Sequence, residues 1–98
     1  MHTLFLGAYH FDGEPARLLA AYARLQQSYP PDSLDLHLCV RRATGITIYD
    51  ACPSRATFDG FSASDDFRAA LAAAGLPMPR VEPLGDVHTA HLRQAVRP

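Results

Sequence analysis

The sequence predicts an α+β fold in which a four-stranded antiparallel sheet carries helices on one face, in the chain order βαββαβ. Three observations support this prediction. Residues 34–52 contain two strand-like stretches joined by a short glycine-containing link. Residues 14–28 and 64–74 repeat apolar residues at helical spacing. Residues 3–11 and 80–92 are β-prone and supply the first and last strands of the order.

The first strand is predicted over residues 3–11, which end at the turn signal Asp12-Gly13. Successive side chains of a strand point to opposite faces, and both faces of this strand are apolar. One face carries Leu4, Leu6 and Ala8, and the other carries Phe5, Gly7, Tyr9 and Phe11. We therefore expect both faces to be covered.

The first helix is predicted over residues 14–28. Pro15 suits the first turn of a helix, where its missing N–H group costs nothing. A stripe of apolar and aromatic side chains recurs at helical spacing and is expected to face the sheet. The stripe consists of Leu18, Tyr22, Leu25 and Tyr29.

The two central strands are predicted as a hairpin over residues 34–42 and 46–52. The link Ala43-Thr44-Gly45 fits a three-residue loop with glycine at the left-handed position. This register gathers apolar side chains on one face, which we expect the helices to cover. The apolar face comprises Leu34, Leu36, Leu38, Val40, Ile46 and Ile48, with Asp50 as its one acidic exception. The opposite face comprises His37, Cys39, Arg41, Thr47 and Tyr49.

Two serines mark helix starts after the hairpin. Ser54 is predicted to cap a short helix and Ser64 a second helical segment, because a serine oxygen can accept hydrogen bonds from first-turn N–H groups. Gly75 follows the apolar stripe of the second segment and is the expected C-terminal stop. Residues 80–92 then hold one or two short strands interrupted by a proline and a glycine.

Composition predicts a single globular domain over residues 1–98, with a frayed tail over residues 93–98. Apolar residues make up 48% and charged residues 19% of the chain, unlike a disordered protein. Nine basic and ten acidic side chains leave a formal charge of −1, so no nucleic-acid partner is expected. No apolar run reaches the roughly 18 residues of a membrane helix. The N-terminal stretch is interpreted as a strand and not a signal peptide, so the expected compartment is the cytoplasm.

One face of the predicted sheet carries many aromatic side chains, and no helix of the predicted fold covers it. Its aromatic members are Phe5, Tyr9, Phe11 and Tyr49. A soluble monomer rarely leaves such a surface open to water. The simplest cover is the same face of a second copy related by a two-fold axis, so we expect a homodimer formed through the sheet face.

Residues 46–75, ITIYDACPSRATFDGFSASDDFRAALAAAG, resemble the antibiotic-biosynthesis-monooxygenase type of dimeric α+β barrel, whose protomers are ferredoxin-like. The likeness lies in a strand, a serine, an acidic-x-Phe pattern, and an amphipathic helix that ends in glycine. Chain length and the βαββαβ order extend the likeness to nearly the whole chain. The resemblance implies binding of a small apolar, aromatic or polyketide-like molecule, with cofactor-independent oxygenation as the associated chemistry.

Haem degradation, which some members of that family perform, is not expected here. Those members use an Asn, a Trp and a His, and the resemblance places Leu6, Phe61 and Leu71 at these positions. None of the three can ligate iron, and Cys52 stands where the family has a strand-end Trp. No cofactor is therefore expected, because in the cofactor-free reaction the substrate carbanion itself reduces oxygen.

The candidate catalytic residues are His37, Tyr49 and His10, because histidine is the side chain best suited to proton transfer near neutral pH. In the predicted register His37 and Tyr49 share a sheet face, where they could deprotonate a phenol and hold its anion. The alternation of side chains along the first strand predicts that His10 faces the helices, at the mouth of a pocket between the sheet and the helices. The candidate substrate-binding residues are Arg41, Tyr9 and Phe61. The alternative is that these polar groups line a dimer interface.

No metal site is expected. His88 and His91 have the spacing of helical metal ligands, but residues three apart in an extended segment point to opposite faces. Cys39 and Cys52 fall on opposite faces in the predicted register, so they are interpreted as buried thiols without a disulfide bond.

Two functions of different classes fit the sequence. The first is a dimeric protein that binds a small aromatic molecule and oxygenates it without a cofactor. The second is a non-catalytic dimer that acts as a ligand-binding, accessory or sensor protein, so the sequence leaves enzymatic activity open. The first function is favoured if the structure has an enclosed pocket of about 300 Å³ or more with a histidine in its wall. An interior plugged by Leu6, Phe61 and Leu71 favours the second.

Overall fold

The computed structural model of the protein describes residues 3–30 and 34–98 and has an α+β fold. Its elements are β1 (Phe5–Asp12), α1 (Pro15–Leu25), β2 (Leu36–Arg42), β3 (Gly45–Cys52), α2 (Arg55–Ser62), α3 (Asp65–Ala74) and β4 (Arg80–Asp86). The strand order is β2-β3-β1-β4, and each neighbouring pair is antiparallel. The predicted four-stranded antiparallel sheet is thus confirmed, and the order is consistent with a ferredoxin-like fold. Within the described residues, no helix is long and apolar enough to cross a membrane.

Helix α1 begins at a cap formed by Glu14. The Glu14 carboxylate accepts hydrogen bonds from the backbone N–H groups of Ala16 and Arg17, both at 2.9 Å. Those two hydrogen bonds lower the pKa of Glu14, because they favour its charged form. Pro15 occupies the first helical turn, as predicted. The helix ends at Leu25, earlier than the predicted end at residue 28, and a turn follows it.

Helices α2 and α3 begin at the two predicted serine caps. The Ser54 hydroxyl accepts a hydrogen bond from the Thr57 N–H group at 3.1 Å, and the Ser64 hydroxyl accepts one from the Phe67 N–H group at 3.2 Å. Helix α3 ends at Gly75, whose φ of 86° is in the left-handed region that glycine adopts without strain. These local signals therefore predicted where both helices begin and where α3 ends.

The core lies between the helices and one face of the sheet. The sheet contributes Phe5, Tyr9, Phe11, Ile46 and Ile48, and the helices contribute Leu18, Ala21, Leu25, Phe58, Phe67 and Leu71. Phe58 packs directly on the backbone of β1 at Gly7, where a Cβ atom would lie 1.9 Å from Phe58 Cε1. Glycine at this position therefore lets α2 approach the centre of the sheet.

The predicted register of the β2–β3 hairpin is wrong by one residue. The turn contains two residues, Ala43 and Thr44, and Arg42 pairs with Gly45. Gly45 has no positive φ and belongs to β3, where a Cβ atom would lie 2.0 Å from the carbonyl oxygen of Phe11. Glycine is thus needed for the close approach of β3 to β1, and not for a left-handed turn.

This shift exchanges the two predicted faces of β2. His37, Cys39 and Arg41 lie opposite Asp50, Ile48 and Ile46, so these side chains share the helix-facing side with the buried isoleucines. The outer side of the sheet carries Leu6, Leu36, Leu38 and Val40, which we call the outer leucine patch. Leu38 and Val40 are 40% and 42% exposed.

The prediction that Phe5, Tyr9 and Phe11 form the open face of the sheet is also wrong. All three are buried, and ring contacts of Phe5 and Tyr9 with the α2 residue Phe58 place them against the helices. The register places Phe11 on the same side of β1. The aromatic face of β1 is therefore covered by helices of its own chain.

Candidate functional site

A cavity of about 340 Å³ lies between the sheet and the helices. Most of its wall is apolar, and its aromatic members are Tyr9, Tyr22, Tyr29, Phe61 and Phe67. Its polar members include Gln26, Asp35, His37, Asp50 and Thr57. The volume is within the range of roughly 300–1,000 Å³ that small-molecule sites occupy.

A chain of hydrogen bonds runs along one side of this cavity. His37 Nδ1 lies 2.5 Å from Asp50 Oδ1, and His37 Nε2 lies 2.5 Å from the Tyr22 hydroxyl. Gln26 Nε2 donates to the same hydroxyl at 2.9 Å. His37 and Asp50 are directly opposite each other on β2 and β3, so the two-residue hairpin turn is what brings them together.

The partners of His37 define the directions of these hydrogen bonds. A carboxylate only accepts, so Nδ1 carries the proton that is donated to Asp50. In the neutral imidazole Nε2 is then an acceptor, and the Tyr22 hydroxyl donates to it. Gln26 donates to the Tyr22 oxygen, so all hydrogen bonds of the set donate in the same direction, from Gln26 towards Asp50. This arrangement can take a proton at Tyr22 and hold it on His37.

The Tyr22 hydroxyl stays protonated at neutral pH. Burial, together with the negative charges that Cys39 and Asp50 can carry, raises the pKa of Tyr22 to about 12. Burial and Asp50 likewise raise the pKa of the Cys39 thiol to about 11. Tyr22 therefore acts as a hydrogen-bond donor until its proton is passed on to His37.

Tyr9 holds a second hydroxyl at the cavity. Its side chain is only 2% exposed, and its ring packs between Phe58 and Phe67 at centroid distances of 5.5 and 5.2 Å. Burial, followed by the charges of Asp50 and Cys52, raises the pKa of Tyr9 above its ordinary value. Tyr9 is therefore a rigidly held, uncharged hydroxyl at neutral pH.

The charges in the cavity wall are of one sign. Among the described lining residues, Asp35 and Asp50 are acidic and none is arginine or lysine. An anion entering an apolar cavity without a cationic partner loses its hydration without compensation. The site is therefore unsuited to an anionic ligand.

The structure brings together three of the predicted site residues. His37, Tyr9 and Phe61 all line the cavity. Tyr49 does not join them, because it pairs with Ala8 and Leu38 on the outer side of the sheet. Arg41 points to the helix side but is exposed and outside the cavity lining, and its charge lowers the pKa of Glu14 at the start of α1, after the two backbone hydrogen bonds.

The prediction that His10 lies on the helix side is wrong. His10 Nδ1 lies 3.0 Å from the Thr47 hydroxyl, and His10 Nε2 lies 2.7 Å from Glu82 Oε1. Arg42 Nε donates to the same Thr47 hydroxyl at 2.8 Å. The buried Phe5, Tyr9 and Phe11 occupy the helix side of β1, so the alternation of the strand turns His10 outward.

Sequence reasoning missed three members of the hydrogen-bonded chain. The spacing of Tyr22 predicts a core position in α1, and Gln26, one helical turn later, carries no recognisable sequence signal. Asp50 did carry one, since it was the only acidic residue on an otherwise apolar strand face. A buried carboxylate needs a partner, and a two-residue hairpin turn in place of the predicted three-residue one puts His37 directly opposite Asp50.

The other described histidines and the two cysteines form no metal-binding cluster. Among residues 3–30 and 34–98, no group of three or more His, Cys, Asp or Glu side chains is arranged to hold a metal ion. Cys39 and Cys52 are free thiols. Both belong to the helix side of the sheet, and not to opposite faces as predicted, because Cys39 lies opposite Ile48 and Cys52 lies opposite Phe5.

Comparisons of the chain with protein-family models, curated proteins and solved structures found no match. The fold and the cavity nevertheless define a class of protein. The chain is a small α+β protein with a four-stranded antiparallel sheet, ordered as in ferredoxin-like folds. A histidine-containing cavity lies between its sheet and its helices.

Proposed function

We propose that the cavity binds a small, neutral, planar aromatic molecule. The observation that carries the proposal is an apolar cavity of about 340 Å³ with the Asp50–His37–Tyr22 chain in its wall. Five aromatic side chains surround the space, and aromatic rings favour offset or edge-to-face contacts with a planar ligand. A plugged interior would have favoured the non-catalytic dimer. A pocket lined by a histidine favours the binding of an aromatic molecule.

The chemistry that best uses this site is cofactor-independent oxygenation, as the resemblance to the antibiotic-biosynthesis-monooxygenase type implies. With an anthrone as substrate, a methylene proton passes to the Tyr22 oxygen while the Tyr22 proton passes to His37 Nε2. Asp50 stabilises the resulting imidazolium. The substrate carbanion then reduces O₂: one oxygen atom becomes the new carbonyl of the anthraquinone, and the other leaves as water with both methylene hydrogens.

A non-catalytic ligand-binding or accessory protein is the second candidate. One observation favours it: Asp50, His37, Tyr22 and Gln26 each already form a hydrogen bond with another member of this set. Such a set can simply satisfy buried polar groups in a rigid binding site.

We also propose that the protein is a homodimer formed through the outer leucine patch. The patch lies on the face of the sheet opposite the helices and includes two side chains that are about two-fifths exposed, Leu38 and Val40. A second copy related by a two-fold axis would cover this patch with an identical one. The proposed interface is on the open face of the sheet, as the sequence predicts. It consists of the outer leucine patch and not of Phe5, Tyr9 and Phe11.

Oxygen consumption tests the enzymatic proposal. Purified protein is incubated at neutral pH with anthrone and with a panel of hydroxynaphthalenes, and oxygen uptake above the spontaneous rate is recorded. We expect His37→Ala to lower this rate about 100-fold or more, since a positioned acid–base group typically contributes at least that much. His91→Ala is the matched control, because this exposed histidine lies outside the cavity lining.

The outcomes separate the two candidates. Oxygen uptake that depends on His37 and not on His91 supports the monooxygenase. Saturable binding of the same compounds without oxygen uptake contradicts the oxygenase and supports the non-catalytic binder. If no compound of the panel binds, the proposal of an aromatic ligand is lost.

A further inference from the structure

Several polar atoms at the cavity, among them the Tyr9 hydroxyl and one oxygen of Asp50, have no partner within the described part of the chain. Tyr9 makes ring contacts but no hydrogen bond through its hydroxyl. Asp50 uses Oδ1 for His37, and its second oxygen receives no donor from the described residues. Both residues line the cavity. Both atoms are therefore available to a bound ligand.

The Tyr9 hydroxyl must reach the open space of the cavity. The residue as a whole is 98% buried, since 2% of it is exposed. Yet among the described residues no fully buried side-chain oxygen or nitrogen lacks a hydrogen-bond partner. The unpartnered Tyr9 oxygen therefore retains accessible surface, and the cavity that it lines is the space beside it. An unpartnered hydroxyl in such a place costs free energy until a ligand or water pairs with it.

Tyr9 and Asp50 belong to one neighbourhood of the sheet. Tyr9 lies opposite Ile48 on the adjacent strand, and Asp50 is the next residue of β3 on the same face. The two side chains do not bond each other, although the charge of Asp50 acts on the Tyr9 hydroxyl. A small group that both accepts and donates can bridge the space between them.

Resting on the proposed aromatic ligand, we infer that this ligand is an uncharged hydroxyaromatic compound whose hydroxyl bridges Tyr9 and Asp50. The ligand oxygen accepts the Tyr9 O–H, and the ligand O–H donates to the free oxygen of Asp50. Aromatic hydrocarbons leave both groups unpaired. Aryl ethers satisfy Tyr9 only, because they have no hydrogen to donate. Aryl carboxylates meet Asp35 and Asp50 without a described arginine or lysine in the wall.

The experiment compares three probes of one ring system: naphthalene, 2-methoxynaphthalene and 2-naphthol. Their affinities for wild-type protein and for Tyr9→Phe are measured by fluorescence titration at neutral pH. We expect wild-type protein to bind 2-naphthol most tightly, then 2-methoxynaphthalene, then naphthalene. We expect Tyr9→Phe to weaken 2-naphthol and 2-methoxynaphthalene about 3- to 10-fold, as for the loss of one hydrogen bond, and to leave naphthalene unchanged.

Each outcome decides the inference. Equal affinity of wild-type protein for all three probes overturns it, and this arm does not depend on the variant folding. Equal loss for all probes in Tyr9→Phe also overturns it, because that pattern marks altered packing rather than a lost hydrogen bond. In both cases naphthalene still binds, and the proposed aromatic-binding function stands. If no probe binds wild-type protein, that function fails as well.

Discussion

Tyr22 is the side chain whose ionisation reports most directly on the hydrogen-bonded chain. Its pKa is raised from 10.0 to about 12 in the folded protein. As the pH rises, Tyr22 loses its proton in the unfolded chain before it does so in the folded protein. The contribution of Tyr22 to the free energy of unfolding is therefore fully present below pH 10 and declines between pH 10 and 12. We expect Tyr22→Phe to show a shallower decline over this interval, measured as the urea midpoint against pH.

Tyr9 limits the size of that difference. Its pKa is raised for the same main reason, burial, so it contributes to the alkaline decline in both proteins. Part of the decline therefore remains in Tyr22→Phe. Parallel curves for the two proteins from pH 9 to 12 would contradict the placement of Tyr22 in a buried hydrogen-bonded chain.

Individual residues of the site were predictable to different degrees. The residue type alone makes His37 a candidate, because histidine is the side chain best suited to proton transfer near neutral pH. The prediction that Tyr49 lies beside His37 depends on the three-residue turn, and the observed one-residue shift puts Tyr49 on the other face of the sheet. Asp50 was recognised only as an anomaly. The chemical role of a single residue can thus be predicted from its type. Which two residues lie side by side depends on the register of the strands.

At the scale of elements, the contact of helix α2 with strand β1 depends on Gly7. A Cβ atom there would lie 1.9 Å from the Phe58 ring, so either the helix or the strand has to move. We expect Gly7→Ala to lower the free energy of unfolding by about 1–3 kcal/mol or more, the usual effect of overpacking a core. Chemical denaturation followed by circular dichroism measures this change.

Gly60 provides the matched control for that substitution. It lies within helix α2, and a Cβ atom there would meet no atom within 4 Å. The same glycine-to-alanine change should therefore raise the free energy of unfolding by about 0.5–1 kcal/mol, because alanine favours the helix. Destabilisation of similar size at both positions would contradict the packing of Phe58 on Gly7.

Elements with a local signal were predicted well, and their pairing was not. Ser54, Ser64 and Gly75 marked the helix boundaries because capping depends on a few neighbouring residues. The sequence predicts a three-residue β2–β3 turn, because glycine at position 45 is typical of a left-handed turn position. The actual reason for this glycine is the carbonyl group of Phe11 on another strand. Such a tertiary contact cannot be read from residues 43–45 alone.

At the scale of the whole molecule, the outer leucine patch is the feature that bears on assembly. A positive charge in its centre should prevent a second copy from covering it. We expect Leu38→Arg to convert a dimer of the wild-type protein into a monomer in sedimentation-velocity experiments. Because Leu38 is already 40% exposed, this variant should keep its circular dichroism spectrum.

Leu92→Arg is the corresponding control outside the patch. Leu92 is 58% exposed and follows the last strand. This variant should sediment as the wild-type protein does. If wild-type protein is monomeric at all concentrations, the proposed homodimer is wrong, and the cavity must then function within one chain.

The central claim, that the cavity between sheet and helices binds a hydroxyaromatic ligand, is tested most directly by mapping 2-naphthol on ¹⁵N-labelled protein by NMR. Backbone amide signals are followed as the ligand is added. The account predicts saturable shifts centred on Tyr9, His37, Asp50 and Phe61, with little change at Leu38 and Val40. Shifts confined to the outer leucine patch, or no saturable shifts, would contradict it.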